Sequence, residues 1–233
     1  MMRKAASILL AGLLVAGMAG AQDTQTADEK ASGKQQVKIK GPFKETWVHP
    51  DLDMAQYSKL YPWKTVFQFR EGGETKGAKT TAGKLREIEG PYYVNEESRQ
   101  KFEELVGDLF VTELNRSKIF EVVDEVGPDT LLVRAAVLDI VSNVPPNFTG
   151  TGDVFLSAIG EASFIFELID AETGVVQATV GERRRIQPPS RMYDVSSAPA
   201  NSATIINDIE RWAQSVARDL RVALEKAHKK ATK

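Results

Sequence analysis

The sequence predicts an α+β domain, with a mostly antiparallel sheet of about five strands and two main helices packed on one face. A long hairpin alternates apolar and polar residues, two segments carry helical apolar stripes, and the elements follow the order strand, helix, four strands, helix. The 233 residues are 42% hydrophobic and 27% charged, which is typical of one globular domain with tails. The net charge of −2 lacks the basic excess of most nucleic-acid-binding proteins.

The N-terminus has the pattern of a secretory signal peptide. Two basic residues precede an apolar segment, Ala5–Met18. Ala19 and Ala21 then match the small-x-small cleavage pattern, so Gln22 is expected to begin the mature chain. The sequence contains no cysteine and therefore no lipobox cysteine for lipid attachment. These features predict a periplasmic protein without a stable membrane span in the mature chain.

Composition divides the sequence into four parts. Residues 1–21 are the signal peptide, and residues 22–40 form a polar spacer with too few apolar residues to fold, which predicts disorder. Residues 41–228 form the single α+β domain, and residues 229–233 are a basic tail.

The first elements of the domain are a strand and a helix. Alternation predicts a strand over Trp63–Arg70, followed by a glycine-rich surface connection over residues 71–90. Asn95 is expected to cap a helix that ends near Asn115–Lys118. Its apolar stripe has three- and four-residue steps and consists of Phe102, Leu105, Val106, Leu109, Phe110 and Leu114.

Four strands follow, of which the last two form the hairpin. Ile119–Asp124 is a short strand and Thr130–Val141 a longer one, with Arg134 as the charge in the middle. Both faces of the longer strand are largely apolar: one is expected to carry Leu132, Ala136, Leu138 and Ile140, and the other Leu131, Val133 and Val137. The hairpin rises over Gly160–Asp170 and returns over Val175–Arg185. The turn between them combines an aspartate that bonds its own backbone with a glycine at position 174 suited to positive φ.

A helix ends the domain after a proline- and serine-rich crossover over residues 187–200. Asn201 or Ser202 is expected to cap it, and basic residues close it where they favour the helix dipole. Its stripe has the clearest helical period in the chain and consists of Ile205, Ile209, Trp212, Ala213, Val216, Leu220, Ala223, Leu224 and Ala227.

Two patterns were tested as ligand sites. Residues 72–80 contain glycines and a Lys–Thr pair, but the lysine is displaced by one position and no helical stripe follows, so we interpret them as a surface loop rather than a phosphate-binding loop. His49, Asp51 and Asp53 lie in extended chain and are interpreted as a turn rather than as metal ligands. The sequence predicts no cofactor, no metal and no catalytic residue.

Four polar residues remain as functional or structural candidates: Arg134, Glu167, Asp170 and Arg184. Glu167 is expected to pair across strands with Arg134 or with one of the arginines at 183–185. Strand alternation points Arg184 away from its two neighbours, which disfavours a single anion clamp at 183–185. Asp170 is explained by the turn.

Several motifs together resemble the domain-of-unknown-function family 3313, a group described as bacterial envelope lipoproteins. They are, in order, Trp47-Val48-His49-Pro50 with Asp53 and Tyr57, Phe120-Glu121-Val122-Val123, Gly127–Ala136, Phe166–Asp170 with Thr173-Gly174, and Trp212-Ala213. The resemblance spans about Gly41 to His228 and implies an envelope protein, but it supplies no catalytic residues. The sequence departs from the family pattern because it lacks the lipobox cysteine.

The sequence-level hypothesis is an exported envelope protein that binds a protein or another envelope component without catalysis. Two alternatives stay open: a hydrolase or other enzyme that uses acidic residues, and a carrier of a small apolar ligand. A cavity would favour the carrier, and two carboxylates converging in a cleft would favour the enzyme.

Overall fold

The structure is a computed structural model that describes residues 42–72, 91–144, 155–156, 158–187, 198–199 and 202–233. All of these belong to one compact unit formed by residues 35–233. The signal peptide, the polar spacer, most of the glycine-rich connection and most of the proline-rich crossover lie outside the described residues.

The main sheet of the described chain has seven strands: β1 Glu45–Val48, β2 Lys59–Pro62, β3 Val66–Phe69, β4 Glu121–Val122, β5 Thr130–Ser142, β7 Gly160–Asp170 and β8 Val176–Ile186. Two short strands, β6 (Phe155–Leu156) and β9 (Ala198–Pro199), pair with each other. The helices are α1 (Glu96–Leu114) and α2 (Ser202–Ala231), and a short 3-10 helix over Met54–Gln56 precedes β2.

The sheet is mixed, with the order β1-β8-β7-β5-β2-β4 and with β3 also beside β5. Strands β1, β8, β7 and β5 are antiparallel neighbours, whereas β2 and β3 run parallel to β5, and β4 runs parallel to β2. The α+β class with two helices is confirmed, but the prediction of a mostly antiparallel, five-stranded sheet is wrong. Strands β2 and β3 precede α1 while β4 and β5 follow it, and such a crossover brings the chain back in parallel.

Both helices cover the same face of the hairpin strand β7. The Phe110 ring of α1 lies 5.5 Å from the Phe166 ring, edge to face. The Trp212 ring of α2 lies 5.3 Å from the Phe164 ring. Phe164 and Phe166 are 0% and 1% exposed, so each contributes about 1.5–3 kcal/mol by burial. The predicted alternation of the hairpin therefore builds the core.

A β-bulge in β5 decides which residue enters that core. Leu138 pairs with Ser163, but Val141 pairs with Glu161, so β5 has one extra residue. Asp139 lies in this bulge with a φ of 52°. Because the bulge shifts the alternation, Ile140 is buried in the core cluster, and the sequence-based placement of Ile140 on the same face as Leu138 is wrong.

The helix ends follow the sequence signals. Asn95 Oδ1 accepts a hydrogen bond of 2.8 Å from the amide of Ser98, which confirms the predicted cap of α1. Helix α2 ends with His228, Lys229 and Lys230 in its last turn, as predicted. Asn201 lies outside the described residues.

Candidate functional site

Arg134 and Glu167 form an ion pair across the face of the sheet that is turned away from the helices, here called the outer face. They are direct register partners on β5 and β7. Both Nε and Nη2 of Arg134 bond to Oε2 of Glu167. Of the two partners that the sequence suggested for Glu167, the structure brings Arg134 to it.

Asp170 fastens the hairpin turn to the first part of the domain. Its Oδ1 accepts bonds of 2.7 Å from both the amide and the hydroxyl of Thr173, and its Oδ2 accepts one of 2.7 Å from the hydroxyl of Tyr57. Gly174 completes the turn with a φ of 70°. Burial alone would raise the pKa of Asp170, but the bonds from Thr173 and Tyr57 outweigh it and lower that pKa. Burial and the bond to Asp170 together raise the pKa of Tyr57.

A second charge network surrounds the bulge on the outer face. Asp139 accepts a bond of 2.6 Å from Nε of Arg70 and another of 2.6 Å from Nη1 of Arg183. Arg183 also donates to Glu161 at 2.7 Å and to Ser163 at 3.1 Å. The bond from Arg70, and after it the bond from Arg183, lowers the pKa of Asp139. Each arginine of this network is therefore held by carboxylates.

Arg184 points to the opposite side of β8, as alternation predicts. Its Nη1 donates to Asp219 of α2 at 2.7 Å, and its Nε donates to Glu182 at 3.0 Å. Its guanidinium carbon lies 5.7 Å from the Phe43 ring centre and 5.9 Å from that of Phe164. Arg184 thus ties strand β8 to helix α2.

The three residues tested as metal ligands do not converge. Asp53 caps the 3-10 helix by accepting the amide of Ala55 at 2.9 Å, while the amide of Asp51 donates to Nδ1 of His49 at 3.2 Å. Within the described ranges, no three histidine or acidic side chains lie close enough together to hold a metal ion.

An open depression of about 420 Å³ over the outer side of α2, here called the arginine depression, is rich in side chains that donate hydrogen bonds. Its described lining consists of Glu113, Arg116, Arg184, Arg185, Gln187, Arg211, Trp212, Gln214, Ser215 and Arg218. Five arginines thus face a single carboxylate. Arg184 and Arg185 both border the depression, whereas Arg183 does not. Strand alternation disfavoured an anion site formed by residues 183–185 alone. The depression differs from such a site, because Arg211, Trp212, Gln214, Ser215 and Arg218 of helix α2 form much of its lining.

The five arginines differ in how far they are neutralised. Arg116 donates to Glu113 at 2.6 Å, and Arg211 pairs with Asp208. Arg185 lies 3.9 Å from Glu161, and its side chain is 69% exposed. Arg218 forms no hydrogen bond or ion pair within the described part of the chain. Arg218 is therefore the cation of the depression without a described partner, and Arg185 has the longest and most exposed of the ion pairs.

Trp212 adds a buried polar group to the depression. The residue is 7% exposed, and among the described residues its indole N–H finds no hydrogen-bond acceptor. A buried donor without an acceptor costs about 1–3 kcal/mol.

Sequence reasoning missed the arginine depression, although a signal was present. Arg211, Gln214, Ser215 and Arg218 are spaced i, i+3, i+4 and i+7, which places them on one face of α2. That face lies beside the apolar stripe of α2.

A small apolar cleft lies between α1 and the segment after β2. Its volume is about 20 Å³, and its lining includes Trp63, Phe110, Val111 and Leu114. A volume of this size holds roughly one water molecule. Trp63 is 50% exposed beside it.

Neither helix of the described residues contains an apolar stretch sufficient to cross a bilayer. No family model matches the sequence, and no curated protein matches it.

Solved structures include similar chains. A Xanthomonas campestris protein of the domain-of-unknown-function family 330 is 12% identical, with 80% of this chain and 94% of that chain covered and a TM-score of 0.44. The PelC dodecamer from Paraburkholderia phytofirmans is 10% identical, with 76% and 95% covered and a TM-score of 0.33. A candidate lipoprotein from Caulobacter crescentus is 15% identical, with 53% and 80% covered and a TM-score of 0.30. Such distant similarities carry no argument about function.

Proposed function

We propose that this protein is an exported bacterial envelope protein of the family-3313 type that binds a protein or another envelope component without catalysis. The signal-peptide pattern that ends at Ala21 supports export. The observation that carries the binding function is the arginine depression, because Arg218 has no partner among the described residues and Arg185 has only a long ion pair of 3.9 Å with Glu161. Charges of this kind steer and orient a partner of opposite charge.

The two acidic residues among the four polar candidates have structural partners. Glu167 is paired with Arg134, and Asp170 accepts bonds from Thr173 and Tyr57. A general acid at neutral pH needs a raised pKa, whereas the pKa of Asp170 is lowered. The apolar cleft, at about 20 Å³, is far smaller than the pockets of about 300–1,000 Å³ that hold small molecules.

Export is tested by cell fractionation and N-terminal sequencing. We expect the mature chain in the periplasmic fraction, beginning at Gln22. Replacing both Ala19 and Ala21 by leucine should leave the precursor uncleaved, because the cleavage site requires small residues. Ala5→Leu, outside that site, is the control. Retention of the full-length wild-type chain in the cytoplasm would contradict the proposal.

Binding is tested by capture from envelope extracts with the purified protein. The double variant Arg185→Ala/Arg218→Ala should lose captured material that wild type and Lys226→Ala retain. Lys226 is an exposed cation on the same helix but outside the depression. Equal capture by all three proteins would show that the depression is not the binding site.

A further inference from the structure

We infer that the arginine depression binds a phosphate group on an anionic ligand, with Arg185 and Arg218 as its main contacts. This inference rests on the proposed binding function and specifies the ligand chemistry of the same site. The first ground is charge. Five arginines and one carboxylate line the depression. Three of the arginines are paired closely with acids, whereas Arg218 has no partner among the described residues and Arg185 has only Glu161, at 3.9 Å.

The second ground is the number and type of donors. A guanidinium presents five N–H groups in a planar fork, which matches the oxygens of phosphate or carboxylate. The depression adds uncharged donors from Gln187, Gln214 and Ser215. One carboxylate offers two oxygens in a plane, whereas the oxygens of a phosphate are arranged tetrahedrally, with three terminal oxygens in a monoester. A ring of donors around a depression therefore fits phosphate better.

The third ground is the rigid support of the site. Arg184 is fixed to α2 by Asp219 at 2.7 Å, and Arg116 is fixed by Glu113 at 2.6 Å. Glu113 is itself held by Nη2 of Arg221 at 3.1 Å. These pairs fix the walls of the depression without using Arg185 or Arg218. The walls of the depression are thus held in place before a ligand binds, which lowers the entropic cost of ordering them.

Trp212 provides a readout of binding. It lines the depression and is 7% exposed, while its indole nitrogen is shielded from solvent and is not a contact for a ligand. Binding in the depression would change the fluorescence of Trp212.

The experiment measures binding of the purified protein to three probes: inorganic phosphate by calorimetry, and vesicles of phosphatidylglycerol or phosphatidylcholine by sedimentation. Arg218→Ala should weaken binding about tenfold, as should Arg185→Ala, because each removes a charge-assisted hydrogen bond. Arg218→Lys should restore part of the affinity, since it keeps the charge but not the fork. Lys226→Ala should bind like wild type.

The probes distinguish the source of the phosphate. Binding of inorganic phosphate that falls in both alanine variants supports the inference and indicates a small phosphorylated ligand. Binding of phosphatidylglycerol vesicles alone, with the same variant pattern, supports it and indicates a lipid headgroup.

Other results overturn the inference. One is that neither inorganic phosphate nor phosphatidylglycerol vesicles bind. Another is that wild type and the arginine variants bind equally well. A third is that Lys226→Ala loses as much affinity as the arginine variants. If phosphate fails but extract capture still depends on Arg185 and Arg218, the proposed binding function stands and only the ligand chemistry is refuted. If both assays fail, the binding function itself is refuted.

Discussion

Arginines occur in two regions of the molecule, the charge network on the outer face of the sheet and the arginine depression over α2. The two regions differ in how closely their arginines are paired with carboxylates. Around the bulge, Arg70 and Arg183 each bond to Asp139, and Arg183 also bonds to Glu161. In the depression, Arg218 has no partner in the described chain, and Arg185 lies 3.9 Å from a glutamate that already bonds Arg183 at 2.7 Å. Arginines that are paired closely with carboxylates hold the fold together, whereas Arg218 and the weakly paired Arg185 are the ones proposed to contact a ligand.

The difference also shows why adjacency in sequence misleads. Arg183, Arg184 and Arg185 are consecutive, yet Arg183 belongs to the outer-face network and Arg184 contacts α2. Strand alternation separates them. The partners that matter to each arginine come from elements distant in sequence, such as Asp139 for Arg183 and Asp219 for Arg184.

The largest expected effect concerns the bulge. Asp139→Ala should lower the free energy of unfolding by about 2 kcal/mol, because alanine disfavours positive φ and the bonds to Arg70 and Arg183 are lost. Asp139→Asn should cost about half as much, since asparagine tolerates this conformation. Urea denaturation measures both. Equal costs would mean that the backbone conformation contributes nothing.

The second largest effect is expected from acidification, which should lower the free energy of unfolding because it protonates paired aspartates. The pKa values of Asp139 and Asp170 are lowered, and bonds from Ser58 and then Lys59 lower that of Asp129. Their stabilisation is present above the ordinary aspartate pKa of about 3.9 and is lost as pH falls through the lowered values. Asp208 acts in the opposite direction, because burial raises its pKa.

Denaturation curves between about pH 6 and pH 2 measure this dependence. The free energy of unfolding should fall as pH decreases below about 4, and Asp139→Asn should make the fall shallower. The same slope in wild type and variant would contradict the role given to Asp139.

A smaller effect is expected at the cross-strand pair. Arg134→Ala should cost up to about 1 kcal/mol, and so should Glu167→Gln, because partly exposed ion pairs contribute little. Thermal unfolding measures the loss. The double variant should cost less than the sum of the single variants, since the two residues contact each other. If Arg134→Ala or Glu167→Gln abolished a catalytic activity of the protein without lowering its stability, the enzyme alternative would be favoured instead.

The smallest effect on stability is expected in the arginine depression. Arg185→Ala/Arg218→Ala should change the free energy of unfolding by no more than about 0.5 kcal/mol, because neither side chain forms a strong contact within the described chain. The same denaturation assay measures it. A cost as large as that of Asp139→Ala would show that these arginines are structural and would remove the contrast between the two regions.

Local patterns identified much of the fold. The hairpin was predicted over Gly160–Asp170 and Val175–Arg185, and the observed strands are Gly160–Asp170 and Val176–Ile186. Long alternation and long apolar stripes are repeated many times within an element, so they survive local exceptions. Strands β1 and β2 were missed because each has four residues and lacks the longer alternation over Trp63–Arg70 that revealed the equally short β3.

The candidate site was predicted less completely. Sequence reasoning selected Arg134, Glu167, Asp170 and Arg184, and the structure gives each of them carboxylate, hydroxyl or backbone partners. It passed over Arg218, which has no such partner in the described residues. Whether a charge is neutralised depends on distances across the fold, and one sequence does not contain them.

The alternation, the caps and the turn chemistry follow from the sequence, because these depend on residues a few positions apart. The tertiary structure alone decided the parallel pairing of β2 and β3 with β5, the bulge at Asp139 and the gathering of five arginines around α2. These features join residues separated by tens of positions. Packing of the whole chain therefore selects them, and local propensity does not.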